Sequence, residues 1–162
     1  MNGLDNGRTI LLVENEAALR RALGEVLRTS GYHVLKACGA PEALRIQERH
    51  RGTIHAMVTD VGLNGTSGPE LAGSLQTARP GTPVLFMSGS FPKSLSFART
   101  LSEPWAAFLQ KPFFLNSLLR ALESLLEARG EEGAREVQDA QDVRDIRDVQ
   151  EVQAEVGQRP FR

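Results

Sequence analysis

The chain of 162 residues has one cysteine, Cys38, and three histidines. A single thiol closes no intramolecular disulfide, and so few soft ligands make a zinc cluster hard to assemble. Long hydrophobic runs are missing as well: no stretch approaches the roughly 20 apolar residues that a membrane-spanning helix needs. The opening segment MNGLDNGRTI has neither the basic nor the apolar part of a secretory signal. A cytoplasmic location with no membrane partner is therefore expected. Neither the P-loop pattern G-x-x-x-x-G-K-[ST] nor the dinucleotide pattern G-x-G-x-x-G occurs. That argues against a nucleotide or flavin enzyme, and no enzymatic activity is expected. Aromatics make up only 6% of the chain, the net charge is -1, and no helix-turn-helix pattern is present. Nucleic acid is not an expected partner.

What the chain does have is unevenly distributed. Residues 1–127 hold 13 Lys and Arg against 11 Asp and Glu, whereas residues 128–162 hold 6 against 9. Bulky apolar residues concentrate in the first part, and a length of about 120 residues suits one domain. The second part carries a triplet repeat, EVQ DAQ DVR DIR DVQ EVQ, from Glu136 to Gln153. Its apolar positions recur every three residues, so on an α-helix each step lags by about 60° and no face stays apolar beyond two or three turns. Such an acidic, aromatic-poor segment buries too little apolar surface to offset its ordering entropy. The expectation is a domain over 8–127, followed by a tail over 128–162 that is disordered or becomes helical with a partner.

Within the first part, short β-rich runs alternate with segments of helical periodicity, the mark of βαβ units and a parallel sheet. The runs are Thr9–Val13, Tyr32–Lys36, Ala56–Thr59, Pro83–Met87 and Ala106–Leu109. Leu19, Leu23, Val26 and Leu27 mark one helix face; Leu115, Leu118, Leu119, Leu122, Leu125 and Leu126 mark another at spacings of three and four. Pro41 reads as a first-turn proline, and Ser67-Gly68-Pro69-Glu70 has capping-box spacing. Five βα units give an α/β doubly wound sheet, in which ligands bind beyond the carboxyl ends of the strands.

Polar residues collect at those ends: Glu14, Asn15 and Glu16 after the first run, Asp60 after the third, Ser88 after the fourth and Lys111 after the fifth. Carboxylates with a carbonyl and water form an oxygen-rich site suited to Mg²⁺. A lysine and a hydroxyl opposite them suit a phosphoryl group, and an aspartate is a nucleophile able to form an acyl phosphate. Each residue also has an ordinary reading, since acids after strands commonly cap helices and a lone lysine is commonly a solvated charge.

The segments ILLVENE (10–16), VTDVGLNGTSGPEL (58–71), VLFMSGS (84–90) and FLQKPF (108–113), in this order and spacing, resemble the receiver domain of two-component response regulators. The wording LFMSG and FLQKPF is similar to receivers that accompany hybrid sensor histidine kinases. The resemblance implies a (βα)5 flavodoxin-like fold with strand order 2-1-3-4-5. It implies a phosphoryl group received from a histidine kinase or phosphotransfer protein and a signal passed to a downstream protein partner. It makes Asp60 the phosphoacceptor, with Lys111 and Ser88 contacting the phosphoryl group. Mg²⁺ would be held by Glu14, Asn15, Asp60 and the Gly62 carbonyl, and Ser88 and Phe108 would take the switch positions. A cis Lys111-Pro112 bond is also implied.

Two positions depart from the family pattern. An aspartate usually stands where Asn15 does, and an amide oxygen brings a donor without the charge that attracts a hard cation, so weakened Mg²⁺ affinity is expected. Glu16 is the candidate substitute ligand, with helix capping or a solvated charge as its other readings. Asn64 replaces a common proline in a loop rich in glycine, which is expected to be pliant. Since no output domain follows, the signal is expected to pass through protein contacts. The alternative left open by Asn15 is a degenerate receiver that binds a partner without phosphorylation.

Overall fold

The structure, a computed structural model, describes residues 6–132. The acidic triplet repeat lies outside the described residues. Two compact units divide the chain, the first ending at Thr82 and the second beginning at Pro83. The first contains β1 (Thr9–Val13), α1 (Ala17–Thr29), β2 (His33–Ala37), α2 (Ala40–Arg49), β3 (Ala56–Asp60) and α3 (Gly68–Ala78). The second contains β4 (Val84–Ser88), α4 (Leu95–Leu101), β5 (Ala106–Gln110) and α5 (Leu115–Glu132). The five parallel strands take the order β2-β1-β3-β4-β5, the flavodoxin-like arrangement.

In the first unit β1 is the middle strand, paired in parallel with β2 and β3. Every residue of β1 and β3 is buried, as a strand covered on both faces requires. β2 pairs with β1 alone within this unit and is largely half-exposed. Leu23 and Leu27 of α1 and Leu71 and Leu75 of α3 are buried in the core. In the second unit β4 pairs with β5, and the expected leucine stripe of α5 contributes Leu118, Leu122 and Leu126 to the core.

The element ends differ from the sequence expectation by single residues, each for a local reason. Tyr32 does not open β2. Its N–H donates to the Leu27 carbonyl at 3.1 Å while Gly31 N–H donates to Arg28 at 3.0 Å, the two bonds of a Schellman cap. Gly31 supplies the positive φ of 92° that this cap requires. Pro83 has no N–H to offer a ladder, and β4 starts at Val84, whose N–H donates to the Trp105 carbonyl at 2.7 Å. Asp60, Ser88 and Gln110 belong to their strands as final residues, whereas the runs read from the sequence stop one residue earlier.

The C-terminal end of α2 is held by a side chain from another helix. Arg79, the C-cap residue of α3, donates to the carbonyls of Gln47 at 2.9 Å, His50 at 2.6 Å and Gly52 at 2.9 Å. Helix carbonyls left without intrahelical donors, at the negative end of the dipole, thus meet a guanidinium. Arg79→Ala is expected to cost about 2 kcal/mol in urea unfolding, the usual scale for losing charge-assisted hydrogen bonds. Arg79→Lys is expected to recover only part of it, because an ammonium cannot match the planar fork.

Candidate functional site

In the first unit the pairing register places two carboxylate residues together. Val13 lies opposite Thr59 on the adjoining strands, and the next residue on each chain is Glu14 and Asp60. Both are almost wholly buried, at 1% and 5% exposure. The Glu14 N–H donates to the Ala37 carbonyl at 3.1 Å, and its Oε1 accepts from the Glu16 N–H at 3.0 Å. Arg20 Nη1 donates to the Glu14 carbonyl at 2.8 Å, fixing the turn between β1 and α1 from the first helical turn onward. Asn15 is exposed in this turn.

Glu16 occupies the N-cap position of α1, but its side chain makes no cap hydrogen bond. It is exposed and contributes its backbone N–H to Glu14. Among the described residues no group of three His, Cys, Asp or Glu is gathered closely enough to hold a metal ion. The oxygen donors on the first unit are two carboxylates, the Asn15 amide and the carbonyls of the loop that begins at Val61. Their chemistry fits a hard divalent cation, with one formal charge fewer than a three-carboxylate set would supply.

The loop after Asp60 is anchored at its far end. Ser67 and Glu70 form the expected capping box, with the Glu70 N–H donating to Ser67 Oγ at 3.2 Å and the Ser67 N–H to Glu70 Oε2 at 3.1 Å. The Gly68 N–H donates to the Val61 carbonyl at 2.8 Å. A Cβ on Gly68 would overlap the Asp60 carbonyl oxygen and come within 3.0 Å of the Asp60 carbonyl carbon and 3.2 Å of Val61 Cα. Backbone rather than a flexible side chain blocks the way, so Gly68→Ala must displace the end of β3. It is expected to cost about 1–3 kcal/mol in chemical denaturation, the scale of overpacking. By contrast a Cβ on Gly62 would meet nothing within 4 Å, and the loop is open at that point.

In the second unit Ser88 closes β4 with its side chain half-buried, and its Oγ accepts from the Ser90 N–H at 3.4 Å. The Lys111 N–H donates to the Ser88 carbonyl at 2.7 Å, so the backbones of these two residues are tied directly. The Lys111-Pro112 bond is cis, as the resemblance implied. Phe108 is fully buried. Its ring meets Phe91 edge-on at 5.0 Å between centroids and Phe97 at 5.9 Å, and Phe86 packs on Phe97 at 5.5 Å. Edge-to-face contacts of this kind are each worth about 0.5–1.5 kcal/mol beyond area burial. The buried ring of Phe108 is thus held by other rings, with no phenolic hydroxyl of its own. Phe91 and Phe97 were not singled out in the sequence, where they lie outside any strand and carry no periodic signal of their own.

Cys38 follows β2 and is exposed. Its N–H donates to Glu42 Oε2 at 2.7 Å. Hydrogen bonding between the thiol and the Glu42 carboxylate, and repulsion of a thiolate by it, push the thiol above its ordinary pKa. The hydrogen bond from the Cys38 backbone N–H, and after it that of the thiol, holds the Glu42 carboxyl below its usual value. A raised thiol pKa means less thiolate at any given pH below it. Alkylation of Cys38 by iodoacetamide near pH 8 is expected to be slower than for a free cysteine, and Glu42→Gln is expected to move the rate-against-pH curve to lower pH.

Residues 10–123 match the profile of the response regulator receiver domain. The chain is 35% identical over 125 residues to the sensor kinase CckA of Brucella abortus (strain 2308), covering 76% of this chain and 13% of that one. It is 32% identical over 112 residues to the response regulator protein FleR of Pseudomonas aeruginosa, covering 68% of this chain and 23% of that one. The chain therefore spans about a quarter or less of the length of these relatives. Among solved structures, the receiver domain of the hybrid histidine kinase CckA aligns with a TM-score of 0.62 and 34% identity, covering 73% of this chain and 98% of that chain. A response regulator receiver protein from Sinorhizobium medicae WSM419 aligns with a TM-score of 0.67 and 28% identity, covering 75% of this chain and 96% of that chain.

Proposed function

Because the chain belongs to the response regulator receiver domain family, we propose that Asp60 accepts a phosphoryl group from the phosphohistidine of a sensor kinase or phosphotransfer protein. The observation that carries this reading is the buried Asp60, 5% exposed at the end of a wholly buried strand, following, like Glu14, directly on the Val13–Thr59 pair. A carboxylate so held loses little freedom on reaching an in-line geometry. One of its oxygens attacks phosphorus, the phosphorus–nitrogen bond of the donor breaks, and the electron pair leaves with the imidazole, which takes a proton from water. The product on this chain is an acyl phosphate on Asp60.

Receiver domains bind Mg²⁺ at an acidic pocket, and here Glu14, Asp60, the Asn15 amide oxygen and the Gly62 carbonyl would hold it. When bound, the ion neutralises charge on the phosphoryl oxygens. The family resemblance gives Lys111 the role of a cation toward the phosphoryl group and the Ser88 hydroxyl that of a hydrogen-bond donor. Their shared backbone link, Lys111 N–H to Ser88 carbonyl, means that a pull on one loop is felt by the other. The switch then acts by a local hydrogen bond that biases two packings of the second unit, with Phe108 and its ring partners as the element that repacks. The signal passes onward through protein contacts rather than nucleic acid or membrane. Among the described residues no helix is long and apolar enough to cross a membrane, and the cytoplasm is the proposed location.

A second reading rests on Asn15. With two acids where three are usual, the chain would act as a binding module whose partner contact needs no phosphate. Incubation with acetyl phosphate separates the two, read by intact mass. Phosphoacceptance gives one added phosphoryl group that requires Mg²⁺ and disappears with EDTA; a binding module gives none at any Mg²⁺ concentration.

A further inference from the structure

Among the described residues, the large apolar side chains that stand exposed are Phe91, at 41%, and Leu95, at 71%. They lie within five residues of each other at the start of α4. The segment from Ser88 to Ser102 carries two charges, Lys93 and Arg99, both positive and both exposed. Neither forms an ion pair among the described residues. An apolar patch flanked by unpaired cations asks for an apolar segment that bears acids.

The chain carries such a segment. From Glu136 to Gln153 there are six acids and two arginines, a net charge of -4, with an apolar residue at every third position. A stripe of that period stays on one helical face for two or three turns, about 11–16 Å. The seven residues of α4 measure about 10 Å. A repeat too short-faced to pair with a long helix is matched in length to this one. Reach is sufficient: the eleven residues that follow Glu132, up to and including Val143, extend up to roughly 36–40 Å, more than the ~27 Å of the 18-residue α5 itself.

We propose that the acidic repeat Glu136–Gln153 docks on the Phe91–Leu95 patch of its own chain, with Val143, Ile146 and Val149 toward Phe91 and Leu95 and its aspartates toward Lys93 and Arg99. Since Phe91 packs on Phe108 at 5.0 Å, an occupant of this patch bears on the ring cluster that holds Phe108 inward. The repeat thereby competes with any outside protein for the surface next to the switch residue. The docking itself is independent of phosphoacceptance at Asp60, and its test reads contact rather than phosphorylation.

The test uses the full chain with Cys38→Ser and a nitroxide on Ala140→Cys, observed by ¹H–¹⁵N correlation spectra. Docking predicts that amide signals of residues 90–99 lose more than half their intensity and regain it on reduction of the label. Adding Leu95→Gln, Lys93→Glu and Arg99→Glu, all at exposed positions, is expected to restore those signals while the remaining spectrum keeps its dispersion. Salt at 0.5 M is expected to weaken the effect, as screening of exposed charges requires. Absence of broadening at 90–99, or its persistence in the triple variant, would overturn the proposal. So would broadening that appears when ¹⁵N-labelled unmodified chain is mixed with unlabelled nitroxide chain, which would assign the seat to a second copy.

Discussion

Asp60→Asn is expected to abolish phosphoryl incorporation from acetyl phosphate, by at least a hundredfold, with the fold intact. The amide keeps the volume and most hydrogen-bonding capacity of the carboxylate but has no anionic oxygen to attack phosphorus. No other described carboxylate occupies its position. Glu14, the nearest by register, is 1% exposed and uses Oε1 to accept the Glu16 N–H. Removing one of two buried carboxylates also removes a desolvation cost and a like-charge repulsion. In EDTA the Asp60→Asn chain is therefore expected to be as stable as the parent or more so, by up to about 1 kcal/mol in urea unfolding. Mg²⁺, which stabilises only a state that binds it, is expected to raise the midpoint of the parent and leave that of the variant nearly unchanged.

Asn15→Asp is expected to raise Mg²⁺ affinity by about 10- to 30-fold. Two unit charges 4 Å apart in water interact by about 1 kcal/mol, a divalent ion doubles that, and 1.4 kcal/mol is tenfold in affinity. Asn15 is exposed, so the high-dielectric figure applies. The change carries an opposite effect without metal, because a third acid beside Glu14 and Asp60 adds repulsion. Unfolding in EDTA is expected to show a loss of about 1 kcal/mol, reversed by millimolar Mg²⁺. Calorimetric titration is the readout of binding. Equal affinities for the two chains would mean that the residue at position 15 does not reach the ion.

Much of the fold was legible because runs such as TILLV and PVLFM carry apolar residues on both faces. A run such as TILLV has no polar face to leave in solvent, so it belongs inside a covered parallel sheet, and every residue of β1 is buried. The capping box at Ser67 was equally readable, since its two bonds depend on residues three apart. What escaped were contacts set by the path of the chain between elements. Tyr32 stays out of β2 because of the Schellman turn at Gly31, whose positive φ and hydrogen bonds override the β preference of the tyrosine. The three carbonyls that Arg79 serves lie about thirty residues away in sequence, a distance no local pattern conveys.

The candidate site divides in the same way. Glu14 and Asp60 were marked by their place after apolar runs, and each follows directly on the Val13–Thr59 pair of the parallel register of β1 and β3. What the structure shows of Glu16 is a backbone role that its sequence position did not convey: its N–H donates to Glu14 Oε1. Phe108 stood out through the FLQKPF wording, but its ring partners Phe91 and Phe97 come from the connection after β4 and from α4, where hydrophobic periodicity is too short to read. Gly68 is needed for the space it leaves rather than for a group it brings, and an absent side chain signals nothing until the neighbouring backbone is known.

The most direct measurement is the location of the phosphoryl group. After incubation with acetyl phosphate and Mg²⁺, borohydride reduces an aspartyl phosphate to homoserine, and peptide mass spectrometry reads the residue that changed. Phosphoacceptance at Asp60 predicts homoserine at position 60, only with Mg²⁺, and nowhere else in the chain. Aspartate persisting at position 60 in saturating Mg²⁺, with homoserine appearing there once Asn15→Asp is introduced, would contradict it and leave the native chain a phosphate-independent binding module.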